Sequence, residues 1–97
     1  MKVSNINGTS DNTCNCGSWL NHWKKYNSGR QAVPTYCPVN SCYSKAEVGA
    51  HVQKDSYSDK SWYIIPLCSE HNRKISGSLD VTDTVSLASA NVSETCG

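Results

Sequence analysis

Cys37-Pro-Val-Asn-Ser-Cys42 and Cys68-Ser-Glu-His71 are the stretches whose reading decides how this chain folds. Two thiols separated by four residues are followed, 26 positions after Cys42, by a Cys and a His separated by two. Zinc takes four soft or borderline ligands in a tetrahedron, and short turns deliver them in pairs. Cys37, Cys42, Cys68 and His71 are thus the predicted ligands of a structural zinc ion. A chain of 97 residues gains much from such a cross-link, because a core this small supplies limited burial energy.

Composition supports the same expectation. Hydrophobic residues make up 37% of the chain and Phe is absent, so three Trp and five Tyr must carry the large-aromatic role. Six cysteines allow either metal knuckles or a disulfide framework. They come as close pairs, Cys14/Cys16 and Cys37/Cys42, and residues 1–13 are polar with no leader-like apolar run. Intracellular zinc binding in the cytoplasm is therefore the expectation over a secreted disulfide scaffold. No segment approaches membrane-spanning length, so a soluble protein is expected. The formal charge of +1 is far from the strongly basic balance of a typical nucleic-acid binder.

Along the chain, one domain is expected over 1–97, with 1–13 irregular. Ser18 is placed to cap a helix over Trp19–Tyr26, whose apolar residues Trp19, Leu20, Trp23 and Tyr26 share one face, with His22 at its edge and an end near Ser28-Gly29. Ala46, Val48, Ala50 and Val52 alternate with Glu47, Gly49, His51 and Gln53, the period of a half-buried strand. A polar loop over 55–60 leads to a second strand over 62–66, then to a helix over 68–76 with Ser69 as a candidate cap. Val81, Asp83, Val85 and Leu87 suggest an edge strand. The order is knuckle, hairpin, helix over 37–76. That is the layout of a treble clef, an α+β fold in which zinc staples a turn to a helix start, here with an added N-terminal helix and a C-terminal extension.

Gly49-Ala-His51-Val, a loop, then Ile64-Ile-Pro-Leu-Cys68-Ser-Glu-His71-Asn72 resembles the zinc-containing HNH endonuclease motif over residues 37–74. The resemblance implies a metal-dependent nuclease acting on phosphodiester bonds. His51 would be the general base that activates water, and Asn72 would sit beside a second divalent ion such as Mg2+, Mn2+ or Ni2+. The chain departs from the motif at Ala50, where active members often carry an acid, and at Trp62-Tyr63, where no central Asn is found. Asp55 or Asp59 in the loop would have to supply the missing carboxylate. The other reading is a non-catalytic zinc module that binds DNA, RNA or a protein, with His51 a structural residue bonded to Glu47 or to a loop carbonyl.

Cys14, Cys16, His22 and Cys96 can be read as a second zinc site tying the N-terminal helix to the C-terminal tail. A Cys16–Cys96 disulfide, an unbridged Cys14 and a surface His22 are the other readings of the same residues. Trp19, Trp23 and Trp62 are expected in the core.

Overall fold

Val48–Lys54 and Trp62–Leu67 form the antiparallel hairpin at the centre of the chain, with Val48 opposite Leu67, Ala50 opposite Ile65 and His51 opposite Ile64. The computed structural model describes residues 1–6, 16–55, 58–73 and 77–91. Among these, the elements run β1 (Lys2–Asn5), α1 (Trp19–Tyr26), β2 (Val48–Lys54), β3 (Trp62–Leu67), α2 (Ser69–Asn72), β4 (Leu79–Asp80) and β5 (Ala88–Ser89). The strands make one antiparallel sheet in the order β4-β1-β2-β3-β5. The architecture is α+β, with little helix.

Register and the two-residue period of strands assign the sheet faces. One face carries Val3, Asn5, Ala50, Val52, Ile65 and Leu67; the other carries Gly49, His51, Ile64 and Ala88. The alternation in β2 predicts a half-buried strand, yet both faces are covered. His51 is only 7% exposed, and Ile64 and Ile65, which point opposite ways, are both at 0%. Helix α1 packs over the His51 face. Gly49 makes that packing possible, because a Cβ there would collide with the backbone of Trp19 and Leu20. Only glycine admits so close an approach of helix to strand.

Helix α1 has the bounds its periodicity predicts. The Ser18 hydroxyl accepts a hydrogen bond from the Asn21 N–H at 3.1 Å, satisfying one of the first-turn donors. The helix ends at its C-cap Asn27, next to the expected Ser28-Gly29 stop, and the buried Asn27 side chain closes the turn. Its Nδ2 donates to the carbonyls of Trp23 (2.9 Å) and Gln31 (3.1 Å), and its Oδ1 accepts from the Gln31 N–H (2.6 Å). Trp23 is completely buried and its indole N–H bonds the Ser86 carbonyl at 2.9 Å. Burial of an indole, ~150–250 Å² at about 25 cal/mol per Å², is worth at most roughly 4–6 kcal/mol.

Four expectations are corrected. Residues 2–5 are a strand within the expected irregular lead-in; Val3, with 0% exposure, pairs with Lys54 on one side and Leu79 on the other. A single inward Val among polar residues carries too little periodicity to announce a strand. The predicted edge strand over 81–87 is instead the connection from β4 at one sheet edge to β5 at the other, with Val81 bridging Val39 and a turn closed by Val85 N–H to the Thr82 carbonyl at 3.3 Å. Of the helix predicted over 68–76, Ser69–Asn72 is observed and 74–76 lie outside the described residues. Cys68, not Ser69, occupies its cap position, and the Ser69 hydroxyl donates to Glu47 Oε1 at 2.6 Å. Of the three indoles, Trp62 is 43% exposed and does not belong to the core.

Candidate metal centre

The 37–42 segment is held as a turn by backbone bonds. Cys37 N–H donates to the Ser44 carbonyl at 2.8 Å, Cys42 N–H to the Val39 carbonyl at 3.0 Å, and Tyr36 bridges Lys45. Ser41 takes a left-handed conformation, φ 64°, to turn the chain back toward Cys42. On the other side, β3 delivers Cys68 to the start of α2, and one helical turn places His71 over it, since residues three apart share a helix face. Asn5 braces that turn by donating from Nδ2 to the His71 carbonyl at 2.6 Å.

These two segments bring Cys37, Cys42, Cys68 and His71 together, with all four candidate ligand atoms within 4.8 Å of one another. Bond lengths of ~2.3 Å to sulfur and ~2.05 Å to nitrogen, at tetrahedral angles, require S···S near ~3.8 Å and S···N near ~3.6 Å. The observed separations are 3.9 Å for Cys42 Sγ to Cys68 Sγ, 3.6 Å for Cys37 Sγ to His71 Nδ1, and 3.2 Å for Cys68 Sγ to His71 Nδ1. The donor set therefore fits a tetrahedral ion of zinc's dimensions through His71 Nδ1.

Electrostatics explain why the cluster wants a cation. Burial pushes the Cys37 thiol up to about 11, while the Ser44 backbone lowers the exposed-edge Cys42 thiol from its ordinary value. Three thiols this close cannot all ionise without an opposing charge, and a divalent ion supplies it while releasing protons.

The residues carried by the motif resemblance fall elsewhere. His51 lies on the α1 face of the sheet, its ring 4.4 Å from Trp19 at 74° and 6.5 Å from Trp62 at 84°. Burial, with a smaller contribution from His22, lowers its pKa. Asn72 is exposed on α2, which docks through Asn5 on the opposite face. The loop carboxylates are engaged structurally. Asp59 accepts from Tyr63 OH at 2.7 Å and Ser61 N–H at 3.0 Å, which hold its carboxyl at about 2, and Asp55 accepts from the Ser78 hydroxyl at 3.2 Å. Glu47, the suggested partner of His51, takes the Ser69 hydroxyl instead.

Of the second candidate ligand set, Cys16 Sγ lies 3.9 Å from His22 Nδ1, whereas Cys14 and Cys96 lie outside the described residues. His22 is fully buried, which removes the surface reading of that residue. Two contacts that shape the site went unread in the sequence: Trp19, expected only as a core residue, seals His51, and Asn5 positions His71. Neither contact shows in the sequence, because each joins segments far apart in the chain: α1 to β2 for Trp19, and β1 to α2 for Asn5.

No family model matches the chain, and neither a curated protein nor a solved structure matches it.

Proposed function

We propose that this chain is a non-catalytic zinc module of treble-clef form, related to HNH nucleases, in which the ion held by Cys37, Cys42, Cys68 and His71 is structural. The ion would cross-link the 37–42 turn to the start of α2. One observation carries the non-catalytic reading: His51, 7% exposed under Trp19, sits on one face of the sheet, and α2 with Asn72 sits on the other. A general base must reach its water within ~3 Å beside the metal-bound phosphate. A ring capped by an indole, with the second motif residue across the sheet, does not meet that requirement.

A protein partner is favoured over nucleic acid. The net charge of +1 supplies little phosphate neutralisation, and Tyr36 and Tyr43 stand 55% and 79% exposed beside the knuckle with their rings 6.0 Å apart. The nuclease reading keeps one supporting observation, that burial holds His51 neutral, the form a base requires.

The decisive experiment is plasmid nicking with magnesium, manganese or nickel, comparing wild type with His51→Ala. Neither protein should cut. Nicking by wild type that His51→Ala abolishes would establish the nuclease instead, and a salt-dependent shift of labelled DNA or RNA would replace the protein partner with nucleic acid.

A further inference from the structure

Two clefts open beside the metal-binding turn, and one side chain stands between them. The first, of about 550 Å³, is lined by the buried Pro38 and Val85 together with Pro34, Thr35 and Tyr36. The second, of about 510 Å³, shares Pro34, Thr35 and Tyr36 and adds Tyr43 and Lys45. Tyr36, more than half exposed, is the ridge between two hollows. Both aromatics are rooted beside candidate ligands: Tyr36 directly precedes Cys37, and Tyr43 directly follows Cys42. An ion that closes the 37–42 turn therefore also fixes the backbone from which these rings project.

The surroundings select among the ways a groove can hold a peptide. On one edge, the backbone at 35–37 is already paired: the Cys37 N–H bonds the Ser44 carbonyl at 2.8 Å, and the Thr35 carbonyl accepts the Ala46 N–H at 3.4 Å. On the other edge the groups come from Pro34, Tyr36 and Pro38, and the two prolines have no N–H to offer an added strand. A helix, ~10–12 Å across, needs one continuous trough, which Tyr36 divides. A polyproline-type segment meets neither obstacle. It needs no backbone ladder, and its prolines pack on aromatic side chains. Its rise of ~3.1 Å per residue sets two residues across the 6.0 Å between the ring centroids.

Charge specifies the neighbouring residue. No arginine or carboxylate lines either cleft, and Lys45 is the one lysine. It is exposed and enters no ion pair among the described residues. An acid beside the prolines complements it, whereas a nucleic-acid backbone would meet a single positive group. We infer that the Tyr36/Tyr43 face docks a proline-rich, acid-bearing segment of a partner protein, an inference that rests on the protein-partner reading above and names that partner's chemistry.

A nonapeptide of three Pro-Pro-Glu repeats tests this, titrated into the zinc-loaded full-length chain with amide shifts followed by NMR. Saturable shifts should gather at 33–45 and 82–85. Tyr36→Ala and Tyr43→Ala, both at exposed positions, should each weaken binding about tenfold or more. Lys45→Glu should transfer the preference to three Pro-Pro-Lys repeats, an exchange that mere loss of structure does not produce. No binding at millimolar peptide, or equal binding of a counterpart with Ala in place of every Pro, would overturn the inference. Tighter binding of a single-stranded oligonucleotide to the same tyrosines would overturn it too. If the peptide fails while the chain keeps its zinc and leaves plasmid uncut, the partner's chemistry is wrong and the zinc module stands; nicking that His51→Ala abolishes marks failure of the function reading instead.

Discussion

Trp19 lies edge-on to His51, with ring centroids 4.4 Å apart and planes at 74°, so the first residue of α1 closes over the middle of β2. The contact joins the N-terminal helix to the strand where the motif resemblance places a general base. It converts that position from a solvent-facing group into part of a packed layer.

Opening this lid should return His51 to ordinary titration. Trp19→Leu removes the covering indole, and the His51 pKa, now lowered chiefly by burial, should rise toward its usual value. Imidazole proton shifts followed by NMR across pH 4–8 report it. No change in the variant would show that something other than the indole keeps the ring dry.

The same shift makes folding sensitive to acid. The folded-state pKa of His51 lies below that of the unfolded chain, so the unfolded state binds the proton first as pH drops. The stability it contributes is complete above about pH 6.5 and is lost as pH falls through the folded value. Urea midpoints should decline between pH 6.5 and 5, and His51→Gln should flatten that decline. An equally steep decline in the variant would assign it to other groups.

Removal of the first ion should be severe. Structural zinc contributes on the order of 10 kcal/mol to domains of this size. Cys42 is only partly buried, so Cys42→Ser disturbs packing little and reports mainly on the metal. Its melting temperature should fall by more than roughly 15 °C, as should that of wild type treated with a strong chelator. A chelated protein that melts where the untreated one does would remove the metal from the architecture.

Gly49 tolerates no side chain. The backbone of Trp19 and Leu20 occupies the space a Cβ needs, and helix backbone cannot swing aside as a flexible side chain can. Gly49→Ala should cost roughly 1–3 kcal/mol by overpacking, read as a lower denaturant midpoint with an unchanged slope. A neutral outcome would mean that α1 slides along the sheet at little cost.

The buried Asn27 side chain makes three hydrogen bonds to backbone, so Asn27→Ala leaves the Gln31 carbonyl and N–H short of a partner, while the Trp23 carbonyl keeps the Asn27 backbone N–H. A loss of about 2 kcal/mol is expected. Hydrogen exchange should quicken first at the C-terminal turn of α1, and uniform acceleration across the chain would argue against a local clamp.

Much of this molecule is written in local pattern. The 0, 1, 4, 7 spacing of Trp19, Leu20, Trp23 and Tyr26 defines α1, and the alternation in 46–53 with the run at 62–66 defines the hairpin, within two residues at each end. The Cys37/Cys42 and Cys68/His71 pairs foretell the ligand cluster, because each pair is set by turn or helix geometry that adjacent residues control. What the sequence could not disclose depends on pairings between distant segments. Strand β1 exists because β2 and β4 flank it, and one inward Val cannot announce that. His51 reads as a residue on an open strand face, and only the docking of α1 through Gly49 buries it. The metal-ligand pairs follow from local chain geometry, whereas the fate of the motif histidine was decided by which helix came to lie on which side of the sheet.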